Sequence, residues 1–459
     1  MLVDRRRFLV DSGLALAGAA AAPHTFASEA GAAVTAAAAD AAGPKQAIIP
    51  GPDPWADVRA QFVLAPDLVH LSTFFLVSHP RPVREAIQRY RDQLDANPLE
   101  AVLQGCFSGD DTNLDLRVKR AAARYIGGKA DEIALTQSTT MGLAFVYEGL
   151  VLAPGQEILT TTHDHFVHHE AIRLSALRNG ASVRKVALYD RLEDLPGVTA
   201  DQLVGRLRAA IRPETRVLGI TWVHSSSGLK LPLRPIAAAV REANAKRDEK
   251  DRILLVVDGV HGFGVEDETI AETGVDVFVA GTHKWILGPR GTGLVWAPAA
   301  AWAKLRPSMP TFDGRAPHDA WEEGHAPAGP AQASWFTAGG FHAFEHEWAV
   351  EAAFDFHASI GRKRIADRIH ALNGRIKDGL AENRRVQLWT PRSAELSAGL
   401  VGFDVRGLTT KEAVRGLHAR KILASGSPYP RSVARLAAGI MNTPEEIDAA
   451  LAAVASLGA

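Results

Sequence analysis

From about Lys129 onward, short apolar runs rich in β-branched residues alternate with longer amphipathic runs. This alternation is typical of βα units arranged around a mostly parallel sheet. Near-continuous apolar runs such as ILLVV suit strands that are covered on both faces. The sequence therefore predicts an α/β fold with a mostly parallel, seven-stranded sheet. The candidate strands are EIALT (132–136), EILTT (157–161), ASVRKVAL (181–188), TRVLGIT (215–221), RILLVVD (252–258), VDVFVAG (275–281) and GLVWA (293–297).

The pattern changes after Gly340, where long helical runs replace the alternation. We therefore expect a large domain over 57–340, whose N-terminal segment packs on a smaller α+β domain over 341–459. The elements predicted for the smaller domain are helical runs at 342–360, 364–380 and 444–457 and a short strand-like run, LVGFDV, at 400–405.

The first residues predict an export signal. Arg5 and Arg6 precede Phe8-Leu9, a weakly apolar stretch and a small-residue site ending near Ala27. This order indicates a bacterial twin-arginine signal peptide over 1–27, followed by an Ala-rich linker over 28–56. The apolar stretch is shorter than the ~20 residues of a membrane span, which favours cleavage over anchoring. We expect a periplasmic protein that uses the twin-arginine export machinery; the alternative is an Ala-rich tail with chance arginines.

Composition narrows the class of ligand. The formal net charge is −1, so the composition lacks the basic excess that favours binding to nucleic acid or to an anionic membrane. A single cysteine, Cys106, excludes an intramolecular disulfide and a Cys-rich metal site. Since no metal-ligand spacing is present either, we expect a protein that binds a small molecule and no metal.

Polar side chains follow five of the predicted strands, at the carboxyl ends where open α/β sheets bind ligands. Hydroxyls and free N–H groups at a helix N-terminus form an anion site that suits phosphate. Taken singly, these residues also fit ordinary helix capping by Ser, Thr or Asp. Together they supply hydroxyls, imidazole, hydroxyls, a carboxylate and a lysine. In chain order the segments are QSTTMG with Ser138, Thr139 and Thr140, THDHF with His163 and His165, WVHSSSG with Ser225, DGVHGFG with Asp258 and His261, and GTHKW with His283 and Lys284.

One ligand matches this set of groups. A phosphate requires N–H groups and hydroxyls, a pyridinium ring requires a stacking face and a carboxylate at its nitrogen, and an aldehyde requires a lysine that forms a Schiff base. Pyridoxal 5′-phosphate carries all three. The set therefore predicts this cofactor, with Lys284 bonded to the aldehyde and His283 reaching the phosphate.

The segments VVDGVHGFG and GTHKW resemble the class V aminotransferase family. These fold-type I pyridoxal-phosphate enzymes include isopenicillin N epimerases and cysteine desulfurases, and the resemblance extends from about Asp57 to the C-terminus. It implies that Ser138, Thr139 and Thr140 contact the phosphate and that His163 stacks on the cofactor ring.

The same resemblance implies the remaining roles. Asp258 would bind the pyridine nitrogen, His261 would lie near the ring oxygen, and Lys284 would hold the aldehyde. Arg435 in RLAAGIMNT resembles the arginine that grips the substrate carboxylate. Gly340, of the Gly339-Gly340 pair, would offer a backbone N–H near the partner subunit's cofactor in a homodimer.

Three departures from the family pattern restrict the function. Cysteine desulfurases need a catalytic cysteine in the last third of the chain, whereas this chain has only Cys106. The run Ser225-Ser226-Ser227 stands where many members have an asparagine, and Gly339-Gly340 stands where the family has a glycine–threonine pair. The segment GGFHAFEHEW resembles isopenicillin N epimerase relatives more than desulfurases.

The expected function is that of an aminotransferase or an isopenicillin N epimerase-like enzyme acting on an amino acid or a peptide-borne amine. Lys284, freed when the substrate amine displaces it, is the expected general acid and base for the α-proton. Return of that proton to the opposite face gives epimerisation, whereas transfer to the cofactor gives transamination. The alternatives are a carbon–sulfur lyase or sugar aminotransferase of the same fold, and a pyridoxal-phosphate-binding protein without turnover.

Overall fold

A computed structural model of the protein describes residues 54–109 and 111–458. The predicted signal peptide, 1–27, lies outside the described residues, as does the linker up to residue 53. Every described residue belongs to one compact unit, Ile48–Ala459.

The strands are short and most of them are buried. In chain order they are β1 (Val69–His70), β2 (Ile133–Thr136), β3 (Glu157–Thr161), β4 (Ser182–Val186), β5 (Thr215–Thr221), β6 (Leu254–Asp258), β7 (Val277–Gly281), β8 (Gly293–Trp296), β9 (Val386–Leu388), β10 (Val401–Val405), β11 (Ile422–Leu423), β12 (Ser425–Gly426) and β13 (Ala434–Leu436).

The helices connect and cover these strands. They are α1 (Pro54–Arg59), α2 (Arg81–Ala96), α3 (Pro98–Phe107), α4 (Leu114–Ile126), α5 (Thr139–Gly149), α6 (Phe166–Asn179), α7 (Ala200–Ala210), α8 (Leu233–Asn244), α9 (Ala299–Trp302), α10 (Arg315–Glu322), α11 (Phe344–Trp348), α12 (Val350–Ile360), α13 (Arg362–Glu382), α14 (Thr410–Ala419) and α15 (Pro444–Ala455). Among the described residues, no helix combines the length and the apolar character that a bilayer span requires.

Seven strands form the central sheet, in the order β2-β8-β7-β6-β5-β3-β4. Neighbouring strands are parallel except at β8, which runs antiparallel to both β2 and β7. The predicted α/β fold with a mostly parallel, seven-stranded sheet is therefore confirmed.

Both faces of the sheet are buried, which explains the near-continuous apolar runs. Along β6, Leu255 and Val257 belong to one hydrophobic cluster, whereas Leu254 and Val256 belong to another. Because alternate strand residues point to opposite faces, the two clusters lie on the two sides of the sheet.

The C-terminal part of the chain builds a second sheet, in the order β12-β13-β10-β9 with antiparallel neighbours. The N-terminal segment joins this part, because Val69 in β1 pairs in parallel with Ile422 in β11. Arg59 strengthens the connection by donating to Glu446 and to the Met441 carbonyl, each at 2.6 Å. The division into domains at residue 340 stays a prediction.

Candidate active site

A cavity of about 380 Å³ lies at the carboxyl ends of the central strands. Its wall combines residues from five loops of the sheet with residues of the C-terminal sheet and of the segment before α2. Of the predicted site residues, it brings together Ser138, Thr139, Thr140, Ser225, Asp258, His261, His283, Lys284 and Arg435.

The N-terminus of α5 supplies hydroxyls to one end of the cavity. Ser138 is the N-cap, and its Oγ accepts a hydrogen bond from the Met141 N–H at 3.2 Å. Thr139 Oγ1 accepts from the Gly281 N–H at 2.8 Å and thereby ties α5 to the end of β7. Capping thus accounts for one contact of Ser138, while the helix end still faces the cavity with the N–H groups and hydroxyls that suit a phosphate.

His283 packs closely at the same end of the cavity. A Cβ on Gly281 would lie only 2.7 Å from His283 Cε1, so a larger residue at 281 would displace the imidazole. His283 Nδ1 lies 3.3 Å from the Thr292 carbonyl and is therefore the protonated nitrogen of the neutral ring.

Asp258 ends β6 and is almost completely buried. Its Oδ1 accepts from the Val260 N–H at 3.1 Å. Burial raises the pKa of this carboxyl to about 6, against the opposing effects of the Val260 N–H and the Lys284 ammonium. Because these two effects offset the cost of burying its negative charge only in part, the Asp258 carboxylate favours a cationic partner, such as a protonated ring nitrogen.

Lys284 follows β7 and lines the cavity beside His261. Burial lowers the pKa of its amine to about 8, with Asp258 opposing the shift and Arg435 adding to it. His261 Nδ1 accepts from the Trp285 indole at 3.5 Å, which leaves the hydrogen on Nε2, 3.4 Å from Lys284 Nζ. A neutral, nucleophilic amine is therefore accessible near physiological pH.

The histidine on the cavity wall is His165, so the placement of His163 at the cofactor ring is wrong. The His163 ring stacks on Tyr189 with centroids 3.9 Å apart. Its Nε2 accepts from the Leu188 N–H at 3.1 Å. Both contacts hold His163 in place outside the cavity wall, whereas His165, the N-cap of α6, lines the cavity.

Asp164, between the two histidines, explains their orientation. Its carboxylate accepts from Thr160 and Thr161 at the end of β3 and from the Thr221 N–H at the end of β5. Burial by itself would raise the pKa of Asp164, but nearby imidazoles and these hydrogen bonds outweigh burial and lower it to about 2. The anchored carboxylate fixes the turn in which His165 lines the cavity and His163 packs on Tyr189.

Arg435 enters the cavity from β13. Its guanidinium donates to the Ser225 carbonyl at 2.7 Å, to Ser425 Oγ at 2.8 Å and to the Gly426 carbonyl at 2.9 Å, and it lies 4.3 Å from the centre of the Phe74 ring. Its Nε is buried and has no hydrogen-bond partner among the described residues. The cavity wall therefore includes a cation held by three hydrogen bonds.

Gly340 lies elsewhere, in a separate cavity of about 30 Å³. That cavity is also lined by Cys106, Asp115 and Glu347. Burial raises the pKa of the Cys106 thiol, and the carboxylate of Asp115 adds to the effect. The approach of Gly340 to a partner subunit's cofactor stays a prediction.

Side chains that could bind a metal ion occur on α10. His318, Asp319 and Glu322 bring possible ligand atoms within 4.8 Å of one another. Exposed acidic groups of this kind are common without an ion, so we assign no metal to them.

Sequence reasoning missed the residues that reach the cavity from distant parts of the chain. Phe74 and Phe75 come from the segment before α2, and Ser425, Gly426 and Pro428 come from β12 and the loop after it. The sequence offers little signal for them, because their approach depends on how the C-terminal sheet packs on the central one. Thr221, the last residue of β5, could have been found from its strand-end position.

Comparisons with known proteins agree with this geometry. Residues 78–449 match the aminotransferase class-V family. The isopenicillin N epimerase of Streptomyces clavuligerus is 29% identical over 406 residues, which cover 86% of this chain and 96% of that protein. The isopenicillin N epimerase of Amycolatopsis lactamdurans is 26% identical, with 76% and 84% covered.

A solved structure shows the same fold. A mutant of the cystine C-S lyase C-DES, with glycine covalently linked to its PLP cofactor, superposes with a TM-score of 0.76 at 22% identity, covering 87% of this chain and 99% of that one. The fold is thus the fold-type I α/β fold, and the cofactor is pyridoxal 5′-phosphate. The donor set fits it, since the end of α5 suits the phosphate, Asp258 the ring nitrogen and Lys284 the aldehyde.

Proposed function

The chain belongs to the aminotransferase class-V family, and on that premise we propose that it is an epimerase-like enzyme acting at the α-carbon of an amino acid, free or carried on a peptide. The observation that carries this proposal is the pairing of Lys284 with Arg435 in one cavity. Lys284 provides an amine with a pKa near 8, and Arg435 provides a buried cation on the cavity wall. An α-amino acid brings the matching amine and carboxylate on adjacent atoms.

Each group of the protein in the cavity has a separate role in the proposed reaction. When bound, pyridoxal phosphate supplies an electron-withdrawing ring that stabilises negative charge on the substrate carbon. Asp258 keeps the proton on the ring nitrogen, and Arg435 binds the substrate carboxylate. Lys284 removes and returns the α-proton. The hydroxyls and N–H groups at the start of α5 hold the phosphate in place.

The position of Cys106 argues against cysteine desulfurase activity. It is the only cysteine of the chain, it lies in α3, and it lines the small cavity beside Gly340. Burial keeps its thiol protonated, whereas a nucleophilic cysteine must be a thiolate.

The epimerase outcome is supported by the two isopenicillin N epimerases, which match most of the chain. Transamination is the second candidate, because the family as a whole is named for it.

We further propose periplasmic location after twin-arginine export, from Arg5 and Arg6, and a homodimer with Gly340 near the partner's cofactor. The substrate is a small molecule or peptide amine, and neither nucleic acid nor metal is required.

The proposal is tested with purified protein loaded with pyridoxal phosphate. Isopenicillin N and a panel of free L- and D-amino acids are incubated with wild type and Lys284→Ala, and products are separated on a chiral column while keto acid and sulfide are measured. We expect the opposite epimer of at least one carboxylate-bearing amine, with no formation by Lys284→Ala. Keto acid alone would favour transamination, and sulfide would favour a carbon–sulfur lyase. Protein that converts none of these probes would refute the proposal.

A further inference from the structure

We propose that the substrate of this site has an uncharged, apolar side chain and that Phe75 is the residue that selects it. The inference rests on the proposed function and deepens it, because it names the class of amino acid that the cavity accepts. Each charged group of the cavity wall matches a group of the cofactor or the substrate carboxylate, and the wall around Arg435 is otherwise largely apolar.

Three charged side chains line the cavity, and the proposed function uses all of them. Asp258 matches the protonated ring nitrogen, Lys284 matches the aldehyde, and Arg435 matches the substrate carboxylate. Among the residues that the structure describes, no other lysine, arginine, aspartate or glutamate lines this cavity. A charged substrate side chain would therefore find no ion-pair partner on the wall.

The imidazoles on the wall add no charge at neutral pH. They belong to His165, His261 and His283. Burial lowers the pKa of each ring below its ordinary value, and the positive charge of Lys284 lowers it further. Neutral rings can stack on a ligand or form hydrogen bonds with it, but they supply no counter-charge to an ionised side chain.

Apolar side chains lie close to Arg435 on the cavity wall. Its guanidinium lies over the Phe74 ring, and Phe75, the next residue, also lines the cavity. The Gly426 carbonyl accepts from Arg435 at 2.9 Å, and Pro428, two residues further on, lines the cavity as well. Because a substrate side chain starts at the carbon that bears the carboxylate, it begins close to these two apolar segments.

Phe75 is 70% exposed although it lines the cavity, so much of its ring is open to solvent. Covering that ring with an apolar side chain is favourable, because both groups lose contact with water. An ionised side chain in the same place would lose hydration without gaining a counter-ion. Phe75 therefore favours apolar substrates over charged substrates of similar length.

The first test uses protein loaded with pyridoxal phosphate and two matched pairs of L-amino acids. Norleucine is compared with lysine, and glutamine with glutamate, because the side chains of each pair are similar in length and differ in charge. Apparent dissociation constants are taken from the change in cofactor absorbance. We expect norleucine to bind on the order of tenfold more tightly than lysine, and glutamine to bind more tightly than glutamate.

The second test measures affinity without turnover. Each of the same amino acids is joined through its α-nitrogen to pyridoxal phosphate by borohydride reduction, and the purified adducts are titrated into cofactor-free protein by calorimetry. The phosphate and the ring are common to all the adducts, so differences in affinity report on the side chain. We expect the same order of affinities as in the first test.

A positive charge at residue 75 should change this order. Phe75→Lys removes the apolar ring and gives an acidic side chain a partner, so the preference for norleucine over glutamate should fall by about tenfold. Phe75→Leu keeps an apolar surface and should preserve the order. Leu177→Lys is the matched control, because Leu177 is 72% exposed on α6 and is not among the residues that line the cavity. Thermal midpoints check that each variant is folded.

The outcomes distinguish the two hypotheses. If wild type converts none of the probes of the proposed function, that function fails, whereas the adduct affinities still test the inference. Equal affinities within both matched pairs refute the inference and leave the proposed function standing. A preference for norleucine over glutamate that changes equally in Phe75→Lys and Leu177→Lys refutes the role of Phe75.

Discussion

Replacing Arg435 with alanine should weaken the capture of substrates that carry a carboxylate and spare those that do not. Arg435 lines the cavity, and among the described contacts its Nη1 donates only one of its two hydrogens, to the Ser225 carbonyl, so a substrate carboxylate can gain a charged hydrogen bond from the guanidinium. Such a bond contributes about 1.5–3 kcal/mol. At about 1.4 kcal/mol per tenfold, its loss corresponds to a roughly 10- to 150-fold rise in the apparent dissociation constant.

The substitution also has a structural cost that the assay must separate from binding. The Ser225 and Gly426 carbonyls and the Ser425 hydroxyl each lose a hydrogen bond from the guanidinium. At about 1 kcal/mol per bond, we expect the free energy of unfolding to fall by roughly 3 kcal/mol. Binding is therefore measured well below the thermal midpoint of the variant.

The assay follows the absorbance of the bound cofactor while an amino acid, or the amine left by its decarboxylation, is added. Arg431→Ala is the matched control, because Arg431 lies in the loop just before β13 but is exposed and pairs with Asp404 at 3.2 Å. Arg435→Lys should recover only part of the affinity, since an ammonium lacks the fixed donors of guanidinium. Equal weakening of both ligands by Arg435→Ala, or the same selective loss in Arg431→Ala, would refute the carboxylate role.

Three further predictions concern other parts of the site and the N-terminus. The Asp258→Asn variant should unfold within a few degrees of the wild-type thermal midpoint but lose turnover by orders of magnitude, because an amide cannot stabilise a protonated ring nitrogen. Turnover within a few-fold of wild type would limit Asp258 to a structural role. The rate at which cofactor-free protein binds pyridoxal phosphate, followed by absorbance, should rise with pH and level off above about pH 8. The reason is that burial lowers the pKa of Lys284 to about 8, and the neutral amine is the reactive form. A rate that continues to rise to pH 10 would indicate an ordinary exposed lysine. Changing Arg5 and Arg6 to lysine should leave the full-length protein in the cytoplasm, and equal periplasmic signal on immunoblots of both forms would show that the arginine pair has no role in export.

Local sequence patterns were sufficient to predict the central sheet. The runs at 157–161 and 215–221 correspond to β3 and β5 residue for residue, because buried parallel strands need continuous apolar and β-branched side chains. The predicted run at 252–258 was two residues too long at its start, since β6 begins at Leu254. Strand ends are less certain because the flanking residues leave the sheet without a change in residue type.

The error between His163 and His165 arose from a turn that the strand pattern does not describe. Both imidazoles follow β3 within a few residues, and strand-end position alone favours neither. Their orientation depends on Asp164, whose carboxylate binds the ends of both β3 and β5. The distant contact with Thr221 requires the folded sheet, although an Asp placed between two histidines could have suggested an anchored turn.

Contacts between distant parts of the chain were beyond sequence reasoning. The pairing of β1 with β11 joins Val69 to Ile422, and the position of Tyr429 beside Ser225 joins residues 204 positions apart. No local pattern of apolar and polar residues in the sequence indicates such pairs. Arg435 was identified only because its segment resembles a known family.

Reductive trapping of the cofactor tests the assignment of Lys284 most directly. Loaded protein is treated with borohydride and digested, and the phosphopyridoxyl mass is located by peptide sequencing. Lys377 provides an internal control, because burial lowers its pKa to about 8 as well, but its amine already donates to Ser397 and the Arg392 carbonyl. We predict the added mass on Lys284 alone; a label on Lys377 or another lysine, with Lys284 unmodified, would contradict the account.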